Sequence, residues 1–115
     1  MNATPASRTA LVTGAAKRLG REIALTLAAA GWQVAVHYKS SASDAVKTVD
    51  DCRALAPQLR FDAIAADLAD EDQARALVPQ VVARFGALDA VVNSASIFEH
   101  DSIKIFGAAS LQAHM

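Results

Sequence analysis

The stretch Val12–Ala24, VTGAAKRLGREIA, joins a short apolar run to a segment with helical spacing through a turn that holds two glycines and a basic pair. The apolar run that leads into it has the length of a buried strand, and the segment after it repeats apolar residues three and four positions apart. A helix that begins directly after a strand points its unpaired N–H groups at the turn, where they can bind an anion. The stretch therefore predicts a phosphate-binding turn.

Four apolar runs of strand length alternate with three helical segments along the chain. The predicted strands are Thr9–Thr13, Gln33–Tyr38, Phe61–Ala66 and Asp89–Ser94, and the predicted helices run from about Arg18 to Ala30, Ser43 to Ala56 and Asp70 to Phe85. Strands and helices that alternate in this way form right-handed parallel βαβ units. We therefore expect the α/β class, with a doubly wound parallel sheet of the Rossmann type in three α/β/α layers that is incomplete after the fourth strand.

The same spacing predicts which side chains of the helices face the sheet. Gly31 and Gly86 are expected to end the first and third helices, and Pro79 is expected to bend the third. The predicted inner residues are Leu19, Ile23, Leu27 and Ala30 in the first helix, Val46, Val49, Cys52 and Ala56 in the second, and Ala74, Leu77, Val78, Val81, Val82 and Phe85 in the third.

The bulk properties of the 115 residues indicate one domain over residues 1–115, with residues 1–8 as a loose leader. The net charge of −1 favours neither nucleic acid nor a membrane surface as a partner, and no signal-like or membrane-spanning run is present, so a cytoplasmic protein is expected. Cys52 is the single cysteine, and His100 and His114 have no second ligand at a useful spacing, so no metal site is predicted.

The glycine turn does not match the sequence patterns of other phosphate-binding sites. A Walker A loop needs lysine and then serine or threonine after its last glycine, but Gly20 is followed by Arg21 and Glu22. A receiver domain needs acidic residues at the end of the first strand to hold magnesium, and this strand ends at Thr13. The remaining alternative is a purely structural one, in which Gly14 only makes the turn and Gly20 only permits close packing.

Three motifs at the ends of predicted strands resemble those of short-chain dehydrogenases/reductases. Thr13–Gly20, TGAAKRLG, is similar to the T-G-x-x-x-G-x-G turn of that family, with Arg18 in place of the middle glycine. Asp67 and Leu68 follow the third strand, where the family has an acidic residue near the adenine, and residues 93–96, NSAS, take the place of the family's Asn-Asn-Ala-Gly. The resemblance implies that these positions bind a dinucleotide cofactor, namely Gly14, Lys17, Arg18, Leu19, Gly20, Asp67, Leu68, Asn93, Ala95 and Ser96.

The end of the second strand, His37–Ala42 (HYKSSA), together with the turn resembles the pteridine-reductase-like branch of that family. An NAD site usually presents a carboxylate at this position to the ribose hydroxyls, and none is present here. Lys17, Arg18 and Lys39 could instead surround a 2′-phosphate, with Ser40 and Ser41 as hydroxyl donors, which favours NADP(H). His37 and Tyr38 are candidate cofactor contacts. The alternatives are that the lysines are solvated surface charges and that Asp67 and His37 only satisfy the strand ends.

Reduction in this family depends on a tyrosine followed four residues later by a lysine, and this pair has no counterpart here. Tyr38 is the only tyrosine, and Ala42 stands four residues after it. No catalytic residue is therefore assigned. Two functions remain: the cofactor-binding half of an NADP(H)-dependent reductase acting on a C=O or C=N bond of a small molecule, with a pterin-like ring implied by the branch, or a non-catalytic nucleotide-binding or interaction module. The resemblance also implies a homo-oligomer for the full-length form.

Overall fold

In a computed structural model, which describes residues 8–94, four strands and three helices alternate along the chain. The elements are β1 (Thr9–Thr13), α1 (Arg18–Ala29), β2 (Gln33–Tyr38), α2 (Ala42–Leu55), β3 (Phe61–Ala65), α3 (Glu71–Phe85) and β4 (Ala90–Asn93). The predicted order of elements is confirmed, and each boundary lies within one residue of its expected position. None of the helices in this part of the chain is long and apolar enough to cross a membrane.

The strands form one sheet in the order β3-β2-β1-β4, and every pairing is parallel. The chain moves outward from β1 through β2 to β3 and then returns across the sheet to β4. Because parallel crossovers are right-handed, this reversal puts α3 on the face opposite α1 and α2. The order reverses between β1 and β4, and ligands of such sheets bind at the carboxyl ends of the strands beside the reversal.

Two apolar clusters cover the two faces of the sheet. On one face, α1 and α2 pack through small residues such as Ala24, Ala28 and Cys52 onto Val12, Val36 and other strand residues. On the other face, Leu77 and Val81 of α3 pack onto Leu11, Ala35 and Ile64. All five residues of β1 are buried, which is typical of a central strand covered on both faces.

The predicted inner faces of the helices are partly wrong. Leu19 is 62% exposed and Val46 is 53% exposed, and Val78 and Val82 are also exposed. The buried residues are Gly20, Ala24 and Ala28 in α1, Ala45, Thr48, Val49 and Cys52 in α2, and Leu77 and Val81 in α3. In α1 the buried residues thus follow the predicted stripe by one position, because small side chains let this helix lie close to the sheet. In α2 Val49, Cys52 and Ala56 are buried as predicted.

The expected ends of the third helix are confirmed. The side chain of Asp70 accepts hydrogen bonds from the N–H groups of Asp72 and Gln73, and Gly86 adopts a left-handed conformation with φ of 90°. The helix continues through Pro79. At the start of α2, by contrast, the side chain of Ser41 makes no cap hydrogen bond.

Candidate cofactor-binding site

The turn after β1 is attached to the end of β2 by two hydrogen bonds. The N–H of Gly14 donates to Nδ1 of His37 at 2.9 Å, and the N–H of Ala15 donates to the carbonyl oxygen of the same residue at 2.9 Å. Gly14 has φ of +62°, a left-handed conformation that glycine adopts without strain. Because both amides are used within the protein, an anion at this turn has to bind further along it.

The amides that remain for an anion are those at the start of α1. Lys17 occupies the N-cap, and the first hydrogen bond of the helix runs from the N–H of Arg21 to the carbonyl oxygen of Lys17 at 3.3 Å. Within the described residues, the N–H groups of Arg18, Leu19 and Gly20 therefore have no backbone acceptor. These three groups and the positive end of the helix dipole point to the same place, which suits a phosphate.

Gly20 allows the helix to start directly against the turn. A Cβ atom at this position would overlap the carbonyl oxygen of Gly14, and it would lie 2.8 Å from the Gly14 carbonyl carbon and 2.8 Å from Oγ of Ser94. Ser94 follows β4, and its hydroxyl donates a hydrogen bond to the carbonyl oxygen of Thr13. The ends of β1 and β4 and the start of α1 therefore converge on one point beside the reversal of strand order.

A hollow of about 170 Å³ lies beside the turn and joins two segments that are distant in sequence. Its lining comes from the turn (Gly14, Ala16, Lys17) and from the end of β2 with the residues after it (Tyr38, Lys39, Ser40, Ser41). Lys39 and Ser40 are exposed, so their polar groups are accessible to a ligand. Arg18 and Leu19 are neighbours of this lining in the turn but are not part of it.

Lys17 has an acidic neighbour that the sequence did not predict. Its Nζ lies 3.6 Å from Oδ2 of Asp44 in the first turn of α2, and both side chains are about half exposed. An exposed ion pair of this kind contributes at most about 1 kcal/mol, so a phosphate can replace the carboxylate. The charge of Lys17 is nevertheless partly offset, whereas Arg18 and Lys39 form no ion pair within residues 8–94.

Arg18 has φ of +55°. It occupies the position at which the turn of short-chain dehydrogenases/reductases has its middle glycine. It is the only non-glycine residue with positive φ in the described part of the chain. An L-residue in this region costs about 1–2 kcal/mol relative to its ordinary conformation. Such local strain is most often found at binding sites, where the side chain has a use that offsets its cost.

The structure places His37 inside the protein. His37 is 2% exposed. Its Nδ1 accepts from Gly14, and its Nε2 lies 2.8 Å from the carbonyl oxygen of Ala66. Burial lowers the pKa of this ring, and the bond to Ala66 raises the pKa to a smaller extent. Both nitrogens are thus engaged by protein groups, so a direct hydrogen bond from His37 to a cofactor would have to replace one of them.

Thr48 is a supporting residue that sequence reasoning missed. This buried hydroxyl on α2 donates to the carbonyl oxygen of Ala16 at 3.1 Å and accepts from the guanidinium of Arg21 at 3.3 Å. Arg21 also pairs with Asp51 at 2.5 Å, which lowers the pKa of that carboxyl group. A threonine inside a helix gives no sequence signal for such a contact, because the contact depends on how α2 packs against the turn.

The remaining predicted residues lie at neighbouring strand ends. Asp67 follows β3 and accepts a hydrogen bond from the N–H of Ala69 at 2.9 Å, and Leu68 packs against the α3 side of the core. Asn93 ends β4, where its Oδ1 accepts from Oγ1 of Thr13 at 2.9 Å. The predicted contacts at positions 95 and 96, Ala95 and Ser96, lie outside the described residues.

A larger hollow of about 480 Å³ opens at the other end of the sheet. It is lined by residues around the starts of β2 and β3, among them Gln33, Arg53 and Arg60. Arg53 already donates to the carbonyl oxygen of Phe61 at 3.1 Å, and Arg60 donates to that of Arg84. Because parallel sheets of this type bind ligands at the carboxyl ends of their strands, we assign the candidate site to the smaller hollow.

Known proteins resemble this chain in sequence and in fold. A family model described as short chain dehydrogenase matches residues 8–113. A 3-oxoacyl-acyl-carrier-protein reductase of Staphylococcus aureus is 43% identical over 91 residues, which are 79% of this chain and 36% of that protein. The chain therefore spans little more than a third of the length of this curated relative.

Two solved structures share the fold. Acetoin dehydrogenase from Enterobacter cloacae superimposes with a TM-score of 0.76 at 30% identity, over 84% of this chain and 37% of that one. A short chain dehydrogenase from Burkholderia cenocepacia, solved in complex with NADP, superimposes with a TM-score of 0.74 at 43% identity, over 80% and 37% of the two chains. The match to the family model covers most of the sequence, so this chain belongs to the short-chain dehydrogenase family.

Proposed function

We propose that this chain is the NADP(H)-binding part of a reductase that transfers hydride to a C=O or C=N bond of a small molecule. The observation that carries the proposal is the convergence of the glycine turn with Tyr38–Ser41 around one hollow beside the reversal of strand order. Lys17 and Lys39 come from segments more than twenty residues apart, and the parallel sheet brings both to the edge at which ligands of such sheets bind.

The start of α1 supplies the groups that would hold the pyrophosphate. The free N–H groups of Arg18, Leu19 and Gly20 act as donors, and the absence of a side chain at Gly20 leaves the turn close enough to the helix for a phosphate to contact both. The amides of Gly14 and Ala15 keep the turn attached to β2 and do not contact the phosphate in this proposal.

The cations beside the hollow favour a 2′-phosphate over a free ribose hydroxyl. Lys39 is exposed at its rim, Lys17 lines it with Asp44 as a displaceable partner, and Arg18 lies next to it in a strained conformation. Ser40 and Ser41 add hydroxyl donors from the same segment. The NADP complex of the Burkholderia cenocepacia relative supports the same choice of cofactor.

A bound nicotinamide would supply the hydride. The residues described here bind and orient the cofactor, and a tyrosine and lysine from the rest of a longer protein would supply the proton, as the family resemblance implies. The proposed substrate class also rests on resemblance. A pterin-like ring is favoured by the motifs at residues 13–20 and 37–42. The relatives named above, however, are a 3-oxoacyl-acyl-carrier-protein reductase and an acetoin dehydrogenase. A carbonyl or imine bond is the chemistry common to these alternatives.

The proposal is tested by titrating the chain with NADPH and with NADH, followed by cofactor fluorescence or calorimetry. Each charge-assisted contact to the 2′-phosphate contributes roughly 1.5–3 kcal/mol, and less where the side chain stays solvated. We therefore expect a preference for NADPH of about tenfold or more, which shrinks as salt is raised.

Two double variants test which residues cause the preference for NADPH over NADH. Arg18→Ala with Lys39→Ala should weaken NADPH binding and leave NADH binding nearly unchanged. The matched control is Lys47→Ala with Arg75→Ala, which removes the same charge from exposed positions that do not line the hollow. Equal losses for the two cofactors, or equal losses in the two double variants, would remove the basis for the NADP assignment.

A further inference from the structure

The imidazole of His37 joins the glycine turn to the end of β3 in a way that fixes its protonation state. The N–H of Gly14 can only donate, so Nδ1 of His37 must carry a lone pair, and the carbonyl oxygen of Ala66 can only accept, so Nε2 must carry the proton. The geometry therefore requires the neutral ring with hydrogen on Nε2. A protonated ring would place an N–H at Nδ1 directly against the N–H of Gly14.

Residue 37 holds the turn through two atoms. Its ring accepts from Gly14 and its backbone carbonyl accepts from Ala15, and these two amides precede the residues whose free amides face the candidate phosphate site. The carbonyl bond does not depend on the state of the ring, but the Gly14 bond does. Loss of the Gly14 bond would leave a buried donor facing another donor, which the turn can relieve only by moving.

The charged groups around the ring come from three elements. By strand pairing, His37 is next to Ile64 and shares its face of the sheet with Asp62, which pairs with Arg84 of α3. Asp67 follows Ala66 and accepts from its own loop, and Lys39 follows on the end of β2. The other charged residues of the first turns of α3 are exposed, and Arg75 pairs with both Glu71 and Asp72.

The pKa of the ring is set by burial and by a hydrogen bond rather than by these charged groups. Burial lowers the pKa of His37 from 6.5, and the bond to Ala66 opposes this to a smaller extent. The neutral form is therefore the native one at neutral pH. Since the unfolded ring binds its proton at higher pH than the folded ring, stability is lost as pH falls through 6.5 toward the native pKa.

We propose that His37 is a positioning residue whose neutral ring holds the glycine turn in its anion-binding conformation, and that protonation of the ring releases the turn and weakens binding of a dinucleotide. The second part rests on the proposed function, whereas the first part concerns the turn alone. His37 touches neither cofactor nor substrate in this proposal, and its effect passes through Gly14.

Two variants separate the bonds of the ring. In His37→Asn the amide oxygen can take the position of Nδ1 and accept from Gly14 without titrating, although the bond to Ala66 is lost. In His37→Gln the amide nitrogen can reach Ala66, but no acceptor faces Gly14. We expect the asparagine variant to keep the turn at all pH values and the glutamine variant to loosen it at all pH values.

The first measurement needs no cofactor. Nitrogen chemical shifts of the His37 ring report its tautomer, and the hydrogen-exchange protection of the Gly14 amide reports the turn, both followed from about pH 7.5 to about pH 5. We expect hydrogen on Nε2 and a protected Gly14 amide at the upper pH. Protection should fall with acid in the unmodified chain, remain in His37→Asn and be absent throughout in His37→Gln.

The second measurement is the affinity for NADP⁺ over the same range. A phosphate monoester titrates near pH 6, so the cofactor itself causes part of any change, and His37→Asn measures that part. Each pH unit below the pKa of the ring changes affinity by at most about tenfold, and that pKa lies below 6.5. The additional loss of affinity in the unmodified chain should therefore grow as pH falls and should not exceed about thirtyfold at about pH 5.

The outcomes distinguish the two proposals. If the chain binds no NADP⁺ at any pH, the proposed function fails, and exchange at Gly14 alone decides the role of His37. Parallel exchange and affinity profiles for the unmodified chain and His37→Asn, or a proton found on Nδ1 at neutral pH, would overturn the inference about His37.

Discussion

Replacement of Gly20 by alanine has two opposing effects on the stability of the fold. Alanine is favoured over glycine in a helix by about 0.5–1 kcal/mol, so helix propensity alone predicts a more stable protein. The structure predicts the opposite, because the added Cβ would overlap the carbonyl oxygen of Gly14 and approach the carbonyl carbon of Gly14 and Oγ of Ser94 to 2.8 Å each. Two of these three atoms belong to the backbone, so a side-chain rotation cannot relieve the overlap.

The expected change in the free energy of unfolding is the difference between the cost of the overlap and the gain in helix propensity. Overpacking by one methyl group costs about 1–3 kcal/mol, and a backbone obstacle places this site at the upper end. After the gain in helix propensity, the net loss for Gly20→Ala is about 2 kcal/mol. For a domain of this size, that loss corresponds to a decrease in Tm of roughly 8–16 °C.

Thermal unfolding followed by circular dichroism measures the stability, and a cofactor titration measures the turn. Gly31→Ala is the control, because a Cβ there meets nothing within 4 Å although φ is +96°. Both variants should lose stability, but only Gly20→Ala should also lose dinucleotide affinity. A Tm for Gly20→Ala at or above that of the unmodified chain would show that the turn does not press against the helix, and the reasoning would be refuted.

Two further predictions concern single residues near the site. Arg18→Gly should stabilise the fold by about 1 kcal/mol, because glycine adopts φ of +55° without the strain of an L-residue. The same variant should reduce the preference for NADPH over NADH. An unchanged or lower denaturation midpoint would argue against strain at this position. Burial raises the pKa of Cys52 to about 11, so at about pH 8 only about one thiol in a thousand is ionised. Labelling of Cys52 by a thiol reagent should therefore occur only as the chain unfolds, and rapid labelling of the native chain would contradict the buried position.

The elements of the fold were predictable because each depends on local patterns. Apolar runs of five or six residues were too short for helices, and Gly86 provided a chemical signal for the end of α3. The inner faces of the helices were less predictable. A search for large apolar residues selected Leu19 and Val46, whereas the contact with the sheet is made by small residues whose hydrophobic signal is weak.

The location of the candidate site was predictable to the extent that the site consists of strand ends. Because the turn follows β1 and Lys39 follows β2, a parallel sheet necessarily brings them to one edge. The contacts that hold the turn were not predictable, because the direction of the His37 ring and the reach of Thr48 and Asp44 depend on how β3 and α2 pack. Sequence patterns identify which strand ends meet, but they do not identify which polar atoms form hydrogen bonds there.

In the proposed site, the ion pair between Lys17 and Asp44 places a carboxylate where it would compete with a phosphate of the cofactor. A phosphate that reaches Lys17 exchanges one anion for another, so the gain in free energy is the difference between two similar interactions. Mutations at position 44 could therefore adjust affinity upward or downward while the turn, its glycines and its hydrogen bonds to residue 37 stay unchanged. Position 44 would therefore let the proposed cofactor affinity change separately from the fold, because Asp44 is about half exposed in the first turn of α2 and lies outside the sheet.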